Sequence, residues 1–292
     1  MSLIDITRPV ALPRAADRHI LGRLWRHRSG RAGLLLGLAL VLFALVGAFW
    51  TPEPPNLPNY ANALKPPGLA HPFGTDATGR DVLSRTMDGA HRSIGAALLV
   101  LGAVFAIGLM VGALAGLAGG LTDTLLMRLT DIAMTLPGLV LAFAVLGLLG
   151  PGFVNLLVAL IIADWAWYAR LARSLALGAR HKPHVIAAEM AGISRARIIL
   201  GHILPGVALQ VGIVASLALG GMIGAISGFS FLGLGVQPPH AEWGALLAES
   251  RLYFALAPWL LFAPAGLIFL AVLSANMVGN ALRDVAGGEA GA

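Results

Sequence analysis

The chain has 292 residues, 58% of them hydrophobic and 12% charged, with a formal net charge of +6. Soluble domains carry about 25% charged residues, so this composition, with a mean hydropathy of +0.82, excludes a soluble globular protein and indicates an integral membrane one. The absence of cysteine excludes a disulfide framework, thiolate metal sites and cysteine nucleophiles, and the basic excess requires no nucleic acid, because a basic face against anionic lipid accounts for it.

Six apolar stretches reach the roughly 20 residues that cross a bilayer as a helix: about 33–50, 94–118, 126–149, 153–169, 206–229 and 257–279. No sustained period-2 alternation suggests a barrel, so the expected class is an all-α membrane protein of six spans. Ahead of the first stretch, Arg8, Arg14, Arg18, Arg23, Arg26, Arg28 and Arg31 imitate the basic start of a signal peptide. The run from Gly33 to Trp50 is long for a signal core and ends without a small-x-small cleavage site. Residues 1–32 are therefore expected to be a cytoplasmic segment, and 33–50 a retained signal anchor.

Residues 51–92 form an expected external segment. Its opening, Thr51-Pro-Glu-Pro-Pro-Asn-Leu-Pro58, reads as an extended spacer, since proline fixes φ and disfavours helix before it. From His71 the turn residues come first, and a short amphipathic helix is expected to start near Thr78 and feed the second span. Residues 93–283 are expected to form a five-helix core, followed by a cytoplasmic tail at 284–292.

Glycines recur every fourth residue within the spans: Gly33 and Gly37; Gly108, Gly112, Gly116 and Gly120; Gly220, Gly224 and Gly228. In lipid such spacing lets helix backbones approach closely, and inside apolar helices this reading displaces any phosphate-binding one. Asp164, beside Trp165, Trp167 and Tyr168 in the fourth span, is costly in lipid unless it faces a partner or a water-filled path. Translocation path and interhelix pairing both stay open for it. His91 and Met222 are further path candidates, although core packing is the simplest reading of Met110, Met222 and Met277.

Between the fourth and fifth spans lies a basic, Gly- and Pro-punctuated segment, 170–205. Pro183 can open a short helix, where its missing N–H has no intrahelical role, Val185 to Ala191 supply a small-residue body, and Gly192 can end it. Such a helix, ringed by Arg180, Lys182, Arg195 and Arg197, can seat in a groove of a soluble partner; an ordinary basic loop would look similar. The second external segment, 231–256, combines a Gly/Pro turn with an amphipathic stretch, and Trp243 and Tyr253 are expected in an interfacial aromatic belt.

Placing the N-terminus inside assigns fifteen of the 20 Lys and Arg to the inner side and five, Lys65, Arg80, Arg85, Arg92 and Arg251, to the outer, as the positive-inside rule requires. No Gly-x-x-x-x-Gly-Lys-Ser/Thr loop or His-Glu-x-x-His motif occurs, and Gly228-Phe-Ser-Phe-Leu232 fails the Gly-x-Ser-x-Gly pattern, so neither a P-loop ATPase nor these hydrolase classes are expected. His71, His91 and His240 could pass on a metal, since neutral imidazole binds nickel, but scattered histidines more often serve hydrogen bonding. His181 and His184, spaced i, i+3, fall on the inner side, where partner contact is the better reading.

Ala187, Ala188, Gly192, Ile203, Leu204 and Pro205 resemble the cytoplasmic loop of ATP-binding-cassette importer permeases, with Ile186 where that loop usually has Glu and Glu189 one turn on. Gly74-Thr-Asp-Ala-Thr-Gly-Arg-Asp-Val-Leu-Ser-Arg85, Phe231-Leu-Gly-Leu-Gly-Val-Gln-Pro-Pro239, Glu242-Trp-Gly244 and Gly279-Asn-Ala-Leu-Arg-Asp284 are similar to signatures of the dipeptide/oligopeptide/nickel importer permeases, in the second of their two permease subunits. Trp165-Ala-Trp-Tyr-Ala-Arg170 resembles the nickel-type branch more than the peptide branches. The resemblance implies the type I importer permease fold in the bacterial inner membrane with both termini cytoplasmic, a second homologous permease, two cytoplasmic ATPases that carry the ATP and Mg, and an extracytoplasmic solute-binding protein. It implies no cofactor bound by this chain. Carried over residue by residue, ATPase coupling falls to Pro183, Ala187, Ala188, Glu189, Gly192, Arg195 and Arg197, and binding-protein docking to Asp76, Arg80, Asp81, Gln237, His240 and Glu242. An ATP-independent transporter or channel would share the hydropathy but would not require the inner lever.

Overall fold

The computed structural model describes residues 20–287; the expected tail beyond Gly287 and the arginines before Ile20 lie outside them. Among the described residues the regular structure is helical, with a single isolated bridge pairing Thr75 and Asp81. A short helix α1, Ile20–Arg26, breaks at His27 and leads into α2, Arg28–Phe49, so the basic residues Arg28 and Arg31 belong to the first span's opening turns.

Helix α3, Val82–Ala118, runs 37 residues without a break. At 1.5 Å per residue that is about 55 Å, well beyond a 30 Å hydrocarbon core, so one helix replaces the expected short helix plus second span. It starts at Val82 rather than Thr78 because the Asp76 side chain has already taken the intervening amides: its Oδ1 accepts from Thr78 N at 2.8 Å and Arg80 N at 3.0 Å. Asp81 then caps the helix, accepting from Ser84 N at 2.8 Å, an arrangement worth about 1 kcal/mol.

The expected continuous span 126–149 is replaced by two helices, α4, Gly120–Ala133, and α5, Gly138–Leu149, bent by 81°. Pro137 is the cause: it has no N–H to donate and forces Leu136 out of the helical region. Among the described residues five helices are therefore long and apolar enough to cross a membrane, and the bent pair supplies a sixth span when its two halves are counted as one. Two ion pairs fasten α4 to α6, Phe153–Arg180: Arg173 with Asp123 at 2.5 Å and Arg170 with Asp131 at 2.6 Å.

Beyond α6 come α7, Pro183–Met190, and α8, Arg195–Ile198. A π-helical turn, Ile199–Ile203, joins α8 to α9, Leu204–Phe231, making one span of Arg195–Phe231. The wider turn meets a local need: Pro205 cannot donate back to Gly201 and its ring would crowd that carbonyl. Helix α10, Trp243–Ser250, and the last span α11, Trp259–Gly287, complete the chain.

The glycine series sorts by contact. A Cβ on Gly108, Gly112 or Gly116 would strike α6, meeting Tyr168, the Ala169 carbonyl, and Ala176 with Arg173, respectively. A Cβ on Gly33 would lie 2.8 Å from Met277 Cβ, and one on Gly37 2.8 Å from Ser274 Oγ, so α2 lies on α11 the same way. Gly120, Gly224 and Gly228 depart from this expectation, since a Cβ on any of them would meet open space. Gly120 instead sits at φ +58 where α3 turns into α4.

Candidate functional site

At the end of the bundle carrying α7, local sequence builds a rigid hairpin. Pro183 occupies the first turn of α7. Gly192, at φ +75, closes it: Gly192 N donates to Glu189 O at 3.0 Å and Ile193 N to Ala188 O at 3.2 Å, the paired bonds of a Schellman cap. Val185 is fully buried and Ala188 8% exposed, both in the main core with Ile198 and Ile203. Pro183, Ala187, Glu189, Gly192, Arg195 and Arg197 are exposed. Ala188, one of the expected coupling residues, thus seats the helix on its own chain, and the neighbouring side chains make the outer face.

A contact the sequence did not suggest ties this hairpin to α3. Arg180, just before α7, and Arg195, just after it, both donate to the carbonyl of Leu117, Arg195 at 2.6 Å. That carbonyl lies in the last turn of α3, where C=O groups lack intrahelical partners and cations are favoured. The two flanks of α7 therefore converge on one point of the longest helix.

At the opposite end, residues 51–81, the start of α3 and α10 form a buried polar cluster. Arg80 Nε donates to Asp76 Oδ2 at 2.7 Å and Arg85 Nη1 to the same oxygen at 2.8 Å, while Arg85 also reaches Glu249 through two bonds of 2.5 and 3.1 Å. Burial pushes the Asp76 carboxyl up, but the Arg85 and Arg80 guanidinium groups outweigh it, helped by the Arg80 amide and the Thr78 hydroxyl, and hold it below its ordinary value. Beside this network Asp81 takes His71 Nδ1 at 3.1 Å. Glu242 accepts from Ser93 Oγ at 2.8 Å and caps α10 through Ala245 N at 3.1 Å.

These contacts correct the expected docking set. Asp76, Asp81 and Glu242 are 6%, 1% and 0% exposed, and side chains committed to internal bonds cannot meet another protein; they hold the segment together. Gln237 and His240 stay exposed, and Arg80 is partly so. Trp243 leaves the expected aromatic belt for the same reason: it is fully buried, and its indole N–H donates to Thr86 O at 3.0 Å.

Within the spans, Asp164 is half-buried on α6 beside the start of α5; a Cβ on Gly138 would stand 3.3 Å from its Oδ1. The expected path acid thus lies at the α4–α5 break, where α5 exposes the unpaired N–H groups of a helix start. His91 is partly buried in α3, with an Nδ1 that has no hydrogen-bond partner. Met222 is 7% exposed and belongs to the main core, which removes it from any path lined by this chain, while Met110, expected in the core, is 59% exposed. The three path candidates are on three different helices and do not meet. Among the described residues no group of three or more His, Asp or Glu is arranged to hold a metal.

The sequence matches known proteins along nearly its whole length. Residues 108–285 match the model of the binding-protein-dependent transport system inner membrane component. The chain is 38% identical over 256 residues to the nickel transport system permease protein of Escherichia coli, covering 88% of this chain and 92% of that one. It is 39% identical over 268 residues to a putative peptide transport system permease protein of Brucella abortus, covering 90% and 88%. With a dipeptide transport system permease protein of Alkalihalophilus pseudofirmus the identity is 34% over 267 residues, covering 91% and 88%. With an all-helical bundle that has five or six candidate spans among the described residues, the chain belongs to the binding-protein-dependent inner membrane permeases, as a membrane subunit of an importer rather than an enzyme.

Proposed function

We propose that this chain forms half of the membrane pathway of an ATP-driven importer and pairs with a second, homologous permease. ATP and Mg bind two separate cytoplasmic ATPases, an extracytoplasmic solute-binding protein delivers the cargo, and both termini of this chain face the cytoplasm. The observation that carries the reading is the seating of α7: a short, firmly capped helix with an exposed outer face, whose flanking arginines grip the end of α3. A push on α7 is thereby transmitted to a helix of about 55 Å, and a packed bundle answers by shifting between discrete arrangements. The outer face of α7, with Pro183, Ala187 and Glu189, together with Arg197 of α8, is the ATPase contact.

The cargo is a nickel chelate or a short peptide. Relatives named for nickel and for peptide transport stand at 38% and 39% identity, so overall similarity does not divide the two, and the Trp165 to Arg170 run favours the nickel type. Asp164 at the helix break faces the pathway, while the exposed Gln237 and His240 offer an outer contact for the binding protein.

Reconstitution of the four membrane and ATPase subunits with the solute-binding protein in vesicles tests this. Uptake that requires ATP and the binding protein is expected. Downhill movement of the same solute through this chain alone would overturn the proposal. Thermal stabilisation of the binding protein by nickel chelates against di- and oligopeptides then identifies the cargo.

A further inference from the structure

A groove of about 790 Å³ runs between α3 and the α8–α9 span, on the side of the molecule away from the α3–α6 seam. Phe105, Leu109, Met110 and Leu114 of α3 form one wall, and Leu200 and Leu204 form the other. Arg195, the one charged residue among those lining it, closes the end where α3 terminates.

We propose that this groove holds one anionic phospholipid, with an acyl chain along α3 and its phosphate on Arg195. The proposal rests on the membrane-spanning reading of the chain, and three observations favour lipid over a protein segment. The first is length: the wall from Phe105 to Ala118 extends about 20 Å at 1.5 Å per residue, enough for the roughly 15 Å of hydrocarbon in one leaflet. The second is texture. Close-packed helices meet through small residues, and in α3 the Gly108, Gly112 and Gly116 contacts are already spent on α6. The groove is walled mostly by long side chains, with Ala106, Ala113 and Ala118 between them, and Met110, Leu114 and Leu200 are 59%, 55% and 65% exposed.

The third is charge. Arg195 is exposed and spends one bond of 2.6 Å on the Leu117 carbonyl, which Arg180 shares. A guanidinium carries five N–H donors in a fork suited to phosphate, so capacity remains for a headgroup. Basic pockets between membrane helices at the cytoplasmic face select anionic lipids in this way. A headgroup on Arg195 would bear on the same residue that ties the α7 hairpin to α3, so lipid composition would tune the coupling of that hairpin.

Native mass spectrometry of the purified full assembly, supplied with phosphatidylglycerol or with phosphatidylcholine of the same acyl chains, tests the site. The wild type is expected to retain phosphatidylglycerol about fivefold better, the effect of one arginine near an anionic headgroup. Arg195→Gln should bring the two lipids level, and Leu200→Trp, which fills the groove and leaves every charge in place, should lower retention of both. The second variant decides the matter if the first does not assemble. No headgroup preference in the wild type, a preference that survives Arg195→Gln, or retention unchanged by Leu200→Trp would each overturn the proposal. So would a thiol crosslink from Met110→Cys, in this otherwise cysteine-free chain, to another subunit, because protein would then occupy the groove. Intact lipid selectivity with no ATP-driven uptake would count against the proposed function alone.

Discussion

Arg85 and Glu249, 164 residues apart, meet in a two-pronged ion pair of 2.5 and 3.1 Å that joins the start of α3 to α10. Arg85 is 1% exposed and also holds Asp76 at 2.8 Å. Removing one partner of a buried pair costs about 3–5 kcal/mol because the other charge is left uncompensated. Glu249 is a third exposed at its side chain, and without it Arg85 still holds Asp76, which places Glu249→Ala below that range, at about 2 kcal/mol. A thermal scan of the purified protein should show a clear drop in midpoint for Glu249→Ala and a smaller one for the exposed His240→Ala. Equal midpoints would mean that the pair does not hold this end together.

The same cluster sets an acid limit. Asp76 has a carboxyl held below its ordinary value of 3.8 by Arg85 and Arg80 against the opposing effect of burial. A depressed carboxyl contributes stability that is complete above the unfolded value and is lost as pH falls through the folded one. The 51–81 segment should therefore resist protease down to about pH 4 and open only below it. Asp76→Asn should weaken that pH dependence while lowering protection at neutral pH. An opening of the wild-type segment near pH 6 would point to histidine instead.

Helix class, span number and the α7 turn were legible because each rests on local chemistry: apolar length, Pro183 at a helix start, and Gly192 where φ must be positive. The 81° break was not read, although its signals, Pro137 with a glycine following and the polar Arg128, Thr130 and Asp131 ahead of it, were present; the strongly apolar stretch from Gly138 to Leu149 carried the reading across it. The role of Glu249 had no sequence signal, since a partner 164 positions away leaves no local pattern, whereas the i, i+4 pairing of Asp76 with Arg80 could have been found. Asp81 and Glu242 read as surface acids because a capping carboxylate and a docking carboxylate look the same in sequence; burial alone separates them.

Asp164 stands where α4 and α5 part, and the isosteric Asp164→Asn removes its charge without changing the packing against Gly138. Uptake should fall while the amount of assembled complex in the membrane stays at the wild-type level. Loss of the complex, measured by co-purification of the other subunits, would assign the carboxylate to interhelix pairing rather than the path.

In α7, Ala188 and Gly192 act at different levels. Ala188→Glu would place an unpaired carboxylate in the core beside Val185 and Ile198, at a penalty of several kcal/mol, and should leave the protein inserted but ATP hydrolysis uncoupled from uptake. A Cβ on Gly192 meets open space, so Gly192→Ala costs only the backbone strain of φ +75, about 1–2 kcal/mol, and should reduce coupling partially. Substrate-stimulated ATPase and uptake at wild-type ratio in Ala188→Glu would remove the lever from the mechanism.

The α3–α6 seam gives the sharpest contrast between neighbouring glycines. A Cβ on Gly112 would collide with the Ala169 carbonyl, a backbone atom in the middle of α6 that cannot turn aside, and would stand 2.7 Å from Ala172 Cβ. The helices would have to separate along the seam, disturbing the adjacent contacts at Gly108 and Gly116; overpacking of this kind costs about 1–3 kcal/mol or more. Gly102, one helical face away on the same α3, is exposed and a Cβ there meets nothing. Gly112→Ala should therefore lower the unfolding midpoint and the yield of assembled complex, while Gly102→Ala should be neutral or raise the midpoint slightly, because alanine favours helix over glycine by up to about 1 kcal/mol. If both variants behaved alike, the seam would not be the fixed axis on which α3 and α6 carry the motion of α7 through the bilayer.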